Sequence, residues 1–425
     1  MKLAVIGVGN AGSRIVNQML DIEQSSGRNL CNGNTLLVNS TKPAFDAPEH
    51  VPEERRLTIG DVYWEADGSD IDGNPDLAAE IAREEKNDLI RAFDLIEFHQ
   101  IHGILVVAGL GRGTGGGAGA VVIEQLKEIC DDPVYAVGVL PSDSEGEQSS
   151  LNAARSLQSF VAAADNVIAF DNDAWEDDDH PDDGTPDSAV DEAESGDDAS
   201  TDDDAPVAKD DAAGGDYTRM NVELAKRLVT LFAAGEIRGS SGSENLMDPS
   251  DIMRTLDTGG VSSIGYASVD LPQPGGVRSL LRSVQDRFSW MPEGDWGSDP
   301  EIDGDDGATD AAKINNLVRQ AADSKLTLPC EITSADRALI LLSGPSRTLS
   351  RKGFEGGRYW LEQEADIVDV MAGDEPHDRA TELTVVILFS NVTDVARIDA
   401  IQERAVEYQH SLRTEGTPTG TTNSQ

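Results

Sequence analysis

Through the first half of the chain, short apolar runs alternate with stretches whose apolar positions recur at helical spacing. LAVIGV (3–8), TLLVNS (35–40), GILVVAGL (103–110), PVYAVGVLP (133–141) and NVIAFDN (166–172) read as strands. Between them AGSRIVNQML, DLAAEIAREEKNDLIRAFDLI, GAVVIEQLKEI and LNAARSLQSFVAAA read as helices, the second as one long helix. Strand and helix in turn predict an α/β fold, a parallel sheet covered on both faces.

The pattern breaks at residue 176. Residues 176–215 are almost entirely acid, Ser, Ala, Gly and Pro. They cannot bury apolar area and predict a disordered insert. DYTRMNVELAKRLVTLFAAGE (216–236) predicts a long central helix. From 237 to 410, helices and strands mix without βα alternation, which predicts a smaller α+β domain. A Pro/Gly/Asp-rich insert interrupts it at 272–312, and 411–425 read as a disordered tail. No apolar run reaches the ~18 residues of a membrane span. The opening MKLAVIGVGNAGSRIV is a strand and turn rather than a signal peptide.

Charge narrows the class of protein. The 425 residues hold 79 acidic and 33 basic side chains, a net charge of −46. Such density suits neither nucleic acid nor an anionic membrane as partner. It suits solubility in concentrated salt, as in a halophile's cytoplasm. Cys31, Cys130 and Cys330 are odd in number and lack CxxC spacing. They read as buried small hydrophobes, with no disulfide framework and no metal site.

Two glycine-rich segments each follow a strand and open a helix. The first, GVGNAG, holds Gly7, Gly9 and Gly12. A dinucleotide site would need an acid at the end of the second strand to hold a ribose, and that strand ends in Asn39 and Ser40. The second, GLGRGTGGGAG, leaves main-chain N–H groups bare from Gly109 to Gly119. Bare N–H groups at the positive end of a helix favour a phosphate chain. Close helix–strand packing alone is the competing explanation. There is no P-loop lysine, so Thr114 is the candidate hydroxyl donor. Two such loops on neighbouring parallel strands predict one ligand crevice.

GRGTGGG resembles the GGGTGSG signature of the tubulin/FtsZ superfamily. VLPSDSEGEQSSLNAARSLQSF, NVIAFDNDAW, GGVSSIGYAS, LTLPCEI, RKGFEGGRYWLEQ and NVTDVARI resemble its haloarchaeal CetZ branch. The resemblance implies a tubulin/FtsZ-like, Rossmann-type GTP-binding domain over 1–215, joined by the 216–236 helix to a C-terminal assembly domain. It implies GTP or GDP as the bound molecule, with Mg²⁺. Gly9, Asn10 and Ala11 would line the phosphates, and Gly109, Gly111, Arg112, Gly113, Thr114, Gly115, Gly116 and Gly117 would wrap them. Glu145 would hold the ribose, Asn172 and Asn221 would read guanine, and Tyr217 would stack on the base. Hydrolysis in this family needs the next subunit, whose loop brings carboxylates to the attacking water. Asp251, supported by Asp248, matches them; the same two acids also fit a plain helix N-cap. The implied product is a cytoplasmic head-to-tail homopolymer that controls cell shape, with other CetZ-like proteins as further partners.

Several positions depart from that pattern. Arg112 replaces a signature glycine, and it could grip a phosphate or crowd the loop. Asp70 and Asp72 stand where relatives carry small residues; they could hold Mg²⁺ or repel a phosphate. These departures leave open a rival, a nucleotide-holding regulator that caps or joins active filaments without turnover. VRSLLRSVQDRFSWM (277–291) forms a cationic amphipathic stretch, suited to a membrane or partner surface or to packing on its own domain.

Overall fold

The computed structural model describes residues 1–40, 50–60, 71–176, 217–234, 246–271, 306–367, 369–377 and 380–415. The acidic stretch from 177, Asp70, the 277–291 segment and the chain after 415 lie outside the described residues, as do the side chain of Asp72 and the last part of the central helix.

Ten strands form one sheet. They are β1 (Ala4–Val8), β2 (Thr35–Asn39), β3 (Arg56–Thr58), β4 (Ile104–Gly109), β5 (Val134–Leu140), β6 (Asn166–Asp171), β7 (Val261–Asp270), β8 (Ala335–Gly344), β9 (Asp369–Pro376) and β10 (Glu382–Val392). Their order is β3-β2-β1-β4-β5-β6-β7-β10-β8-β9. The first six are parallel throughout. From β1 the chain winds outward to β3, then returns to β4 and winds the other way. The crevice between β1 and β4 is therefore the topological switch point, where open α/β sheets bind ligands.

Alternation along each strand divides the interior into two cores. Ala4, Ile6, Val8, Ile104, Val106 and Ala108 face one side, with Ile81, Leu89, Val121 and Phe160 packed on them. Leu3, Val5, Leu105 and Val107 face the other, with Ile15, Met19, Leu224 and Leu228. Both faces are covered, which is why these strands are apolar at every position. The first face carries helices α2 (Pro75–Glu84), α3 (Lys86–Phe93), α4 (Gly119–Ile129) and α5 (Glu147–Ala163). The second carries α1 (Gly9–Ser26) and, after the short α6 (Asn172–Glu176), the central helix α7 (Tyr217–Phe232).

The C-terminal half is mixed, as expected of an α+β unit. β7 pairs antiparallel with β10, β10 antiparallel with β8, and β8 parallel with β9. Its strands continue the first sheet, because Val261 and Ser262 of β7 pair with Val167 and Ile168 of β6. Helix α8 (Pro249–Leu256) joins the core shared with α7, while α9 (Asp306–Asp323) and α10 (Arg351–Glu364) cover the other face. The last helix, α11 (Ala396–Glu415), packs along α5.

Three sequence expectations need correction. The single helix over 76–96 is two, α2 and α3, broken at Glu85 (φ −90°, ψ 20°), whose carboxylate accepts the Gly60 amide N–H at 3.0 Å. The segment 411–415, read as the start of a tail, is the last turn of α11. The insert assigned to 272–312 ends earlier, since α9 begins at Asp306.

Candidate functional site

The site is built where β1 and β4 each run into a helix. Gly9 turns the chain out of β1 with φ +73°, a left-handed conformation that glycine takes without strain. Helix α1 starts there with no side-chain cap at Val8, so its first N–H groups have no capping partner within the described residues. After β4, residues Thr114–Ala118 form a π-type turn that continues into α4, again with no side-chain cap. The second glycine segment is thus a buried, wound turn rather than an open loop. The two uncapped helix starts meet face to face: a Cβ on Gly9 would lie 3.1 Å from the Gly115 nitrogen.

Gly113, Gly115, Gly116, Gly117 and Gly119 each sit against a neighbour too close for a side chain. A Cβ on Gly113 would fall 1.8 Å from the Ile71 carbonyl oxygen, one on Gly117 2.0 Å from that of Pro75, and one on Gly115 2.3 Å from that of Gly109. Close packing therefore accounts for much of the glycine content, and it brings residues 71–75 onto the segment. Gly109 faces Ala11, and Gly111 faces Pro141 and Ser149. Arg112 is exposed between buried neighbours, so its side chain does not crowd the turn. Asn10 is also exposed.

Polar side chains that the sequence reading passed over hold these parts together. Asn39 donates to the Asn10 Oδ1 at 2.8 Å, and the Ser40 and Thr114 hydroxyls share a 2.6 Å hydrogen bond. Thr114 is buried, so its hydroxyl is fixed to the end of β2 instead of standing at an exposed tip. Asn152, on the buried side of α5, donates to both the Gly73 and Gly111 carbonyls, at 3.2 and 3.1 Å. Asn152→Ala removes the side-chain donor from the buried Gly111 carbonyl and the half-buried Gly73 carbonyl. It is expected to cost about 1–3 kcal/mol, seen as a lower midpoint in a denaturant titration with an unchanged slope.

On the other flank, Glu145, Asn172 and Tyr217 come together. Ser142 caps the single turn Asp143–Glu145, and the Glu145 carboxylate reaches back to the Ser142 amide at 3.1 Å. The same carboxylate oxygen accepts from the Asn172 side chain at 3.3 Å. Burial, reinforced by the adjacent Glu145 carboxylate, pushes the Tyr217 hydroxyl up to about 12, so it stays a neutral donor. Asn221 lies one turn along α7, half-buried and without a hydrogen bond among the described residues. These side chains can offer a sugar two acceptors, a purine edge two amides, and a base one aromatic face. No group of three or more His, Cys, Asp or Glu among the described residues could hold a metal ion. A divalent cation here would draw its ligands largely from phosphate oxygens and water.

Asp248 and Asp251 are not in this cluster. Asp248 caps α8, accepting from the Ser250 amide at 2.8 Å, and Asp251 reaches back to the Asp248 amide at 3.3 Å. They do form a capping box, which leaves Asp251 half-buried with further acceptor capacity. The C-terminal turn of α8 shares a cavity with Lys127, Asp131 and Asp165, beside the amino ends of β5 and β6. That is the opposite edge of the sheet from the glycine turns.

Comparison with known proteins gives the family. Residues 2–178 match the tubulin/FtsZ family GTPase domain, and residues 210–407 match the tubulin-like CetZ C-terminal domain. Tubulin-like protein CetZ3 of Haloferax volcanii is 37% identical over 97% of this chain and 93% of its own. Among solved structures, the GDP-bound monomer of CetZ1 from the same organism superposes with a TM-score of 0.73 at 33% identity, covering 96% of this chain and all of that one. The GTPgS-bound protofilament of its CetZ2 gives 0.73 at 25% identity, covering 97% of this chain and all of that one.

Proposed function

Since the chain belongs to the CetZ branch of the tubulin/FtsZ GTPase family, we propose that it binds GTP at the β1–β4 crevice and polymerises head to tail, hydrolysing the nucleotide between subunits. The observation that carries this reading is the meeting, at the sheet's switch point, of two helix starts without side-chain caps, so close that a Cβ on Gly9 would lie 3.1 Å from the Gly115 nitrogen. Their N–H groups and helix dipoles suit a di- or triphosphate. Glu145, Asn172, Tyr217 and Asn221 stand to one side, at the place for ribose and guanine.

In the proposed reaction, Gly9–Ala11 and the 109–117 segment hold the phosphates and offset charge as it develops on them. Exposed Arg112 adds a guanidinium to that work. Mg²⁺, held through the phosphates, would supply electrophilic charge. Asp251 stands on α8, outside the Glu145–Asn172–Tyr217 cluster, and is assigned to orient the water on its neighbour's nucleotide. A contact between two different faces of the subunit grows a filament when its rotation does not close into a ring. The proposed setting is a salt-rich cytoplasm, with other CetZ-like proteins as co-subunits, and the proposed role is control of cell shape.

Binding is tested directly by equilibrium titration in molar KCl with GTP, GDP, ATP and NAD. The reading expects tight binding of both guanine nucleotides and at least tenfold weaker binding of the others. NAD binding without GTP binding would contradict it; the Asn39–Asn10 pair, in the place of a ribose-binding acid, argues against that outcome.

A further inference from the structure

The two loops that carry Glu145 and Asn172 are joined by a residue from the far end of the chain. Arg397, the second residue of α11, is 10% exposed and uses all three arms of its guanidinium. Its Nε donates to Asp171 Oδ1 at 3.0 Å, one Nη to Asp143 Oδ1 at 2.7 Å, and the other Nη to the Pro141 carbonyl at 2.8 Å. Asp173 lies 3.7 Å away on the same side. Pro141 follows β5, Asp143 stands two residues before Glu145, and Asp171 immediately precedes Asn172. Two turns along α11, Arg404 pairs with Asp143 as well.

The loops also meet directly, the Asp143 amide donating to Asp173 Oδ1 at 2.8 Å, but without Arg397 the carboxylates of Asp171 and Asp173 would face that of Asp143 with only Arg404, on Asp143, to offset them. Asp171 is 3% exposed, and its burial opposes its charge. Arg397 is the only described cation bonded to it. The Glu145–Asn172 contact, at 3.3 Å, is long for a hydrogen bond and spans the same gap. A planar fork with three fixed donor directions can set the spacing of two loops; a lysine ammonium cannot.

We infer that Arg397 is a positioning residue for nucleoside selectivity: by clamping the 141–145 loop to the 171–172 loop, it keeps Glu145 and Asn172 at the separation needed to read ribose and purine. This rests on the proposed guanine-nucleotide site and adds α11 as its outer support. Phosphate binding lies at the glycine turns and does not pass through the clamp.

The test compares the full chain with Arg397→Gln and Arg397→Lys in molar KCl, titrating GDP, 2′-deoxyguanosine diphosphate, inosine diphosphate and pyrophosphate. Wild type is expected to favour GDP over both analogues. In both variants that preference should shrink about tenfold, the scale of one lost hydrogen bond, while pyrophosphate affinity stays within about twofold. A merely structural residue would weaken all four ligands together and leave the ratios unchanged, which would overturn the inference. Rescue of full discrimination by lysine would also overturn it. If Arg397→Gln does not fold, Asp143→Asn, which loosens the clamp at its exposed end, must show the same narrowed ratio. A wild-type chain that binds no guanine nucleotide overturns the proposed site itself; normal wild-type selectivity that persists in the variants overturns only the clamp.

Discussion

Gly113→Ala is expected to weaken nucleotide binding by about 10- to 100-fold while leaving most of the fold intact. Gly113 has ordinary helical backbone angles, so alanine brings no conformational penalty of its own. The difficulty is steric. The new methyl would fall 1.8 Å from the Ile71 carbonyl oxygen and 2.9 Å from the Asn74 nitrogen, and neither is a side chain that can rotate away. Residues 71–75 must move off the turn or the turn must move toward the crevice. Overpacking of this kind costs about 1–3 kcal/mol. If that cost falls on the bound geometry, affinity drops by about 10- to 100-fold. Gly356→Ala in α10 is the matched control, because its methyl would meet only the Asn315 side-chain amide at 3.1 Å. Helix propensity favours alanine there by about 0.5–1 kcal/mol. Calorimetric titration with GDP, beside thermal unfolding of both variants, checks the pair. Undiminished binding by Gly113→Ala would mean that residues 71–75 play no part in the site.

Asp251→Asn is expected to remove GTP turnover by about 10²- to 10⁴-fold, the usual contribution of a positioned proton acceptor, with GTP affinity unchanged. Asparagine keeps a carbonyl that can accept the Asp248 amide, so the capping box and α8 survive. Asp251→Ala loses that cap as well and should cost a further ~1 kcal/mol of stability. The two variants thus separate the helix-capping role seen in the structure from the catalytic role proposed for the same side chain. Phosphate release with normal rates from Asp251→Asn would reduce Asp251 to a cap.

How much of this could be read from the chain alone depended on how local the signal was. β1, β2, β4, β5 and β6 are buried on both faces, and their apolar runs identified them directly; the three-residue β3, RLT, is half-buried and was missed. Gly9 and the 109–119 glycines marked the two strand-to-helix turns for the same reason: each lies beside its own strand. Non-local partners left little trace. Nothing in VSSIGYASVD says that Val261 pairs with Val167, so the continuity of the sheet from the first domain into the second was not legible. The break at Glu85 depends on the Gly60 amide, 25 residues earlier. Asn39, Asn152 and Arg397 are ordinary polar residues until the fold brings their partners to them, and for Arg397 those partners are more than 220 residues away. One sign was available for Asn152: an amide on the apolar face of α5 must find acceptors when buried. The glycine turn shows a further limit. Its composition suggested bare N–H groups, and the structure shows that the same glycines also let residues 71–75 and α5 approach.

The most direct test of the shared-site account is phosphate release from GTP as a function of protein concentration, in molar KCl with Mg²⁺, with light scattering followed in the same cuvette. The account predicts negligible release per subunit below a threshold concentration, then a steep rise that coincides with scattering. Release that is proportional to protein at every concentration, without scattering, would place the complete catalytic site within one subunit and contradict it.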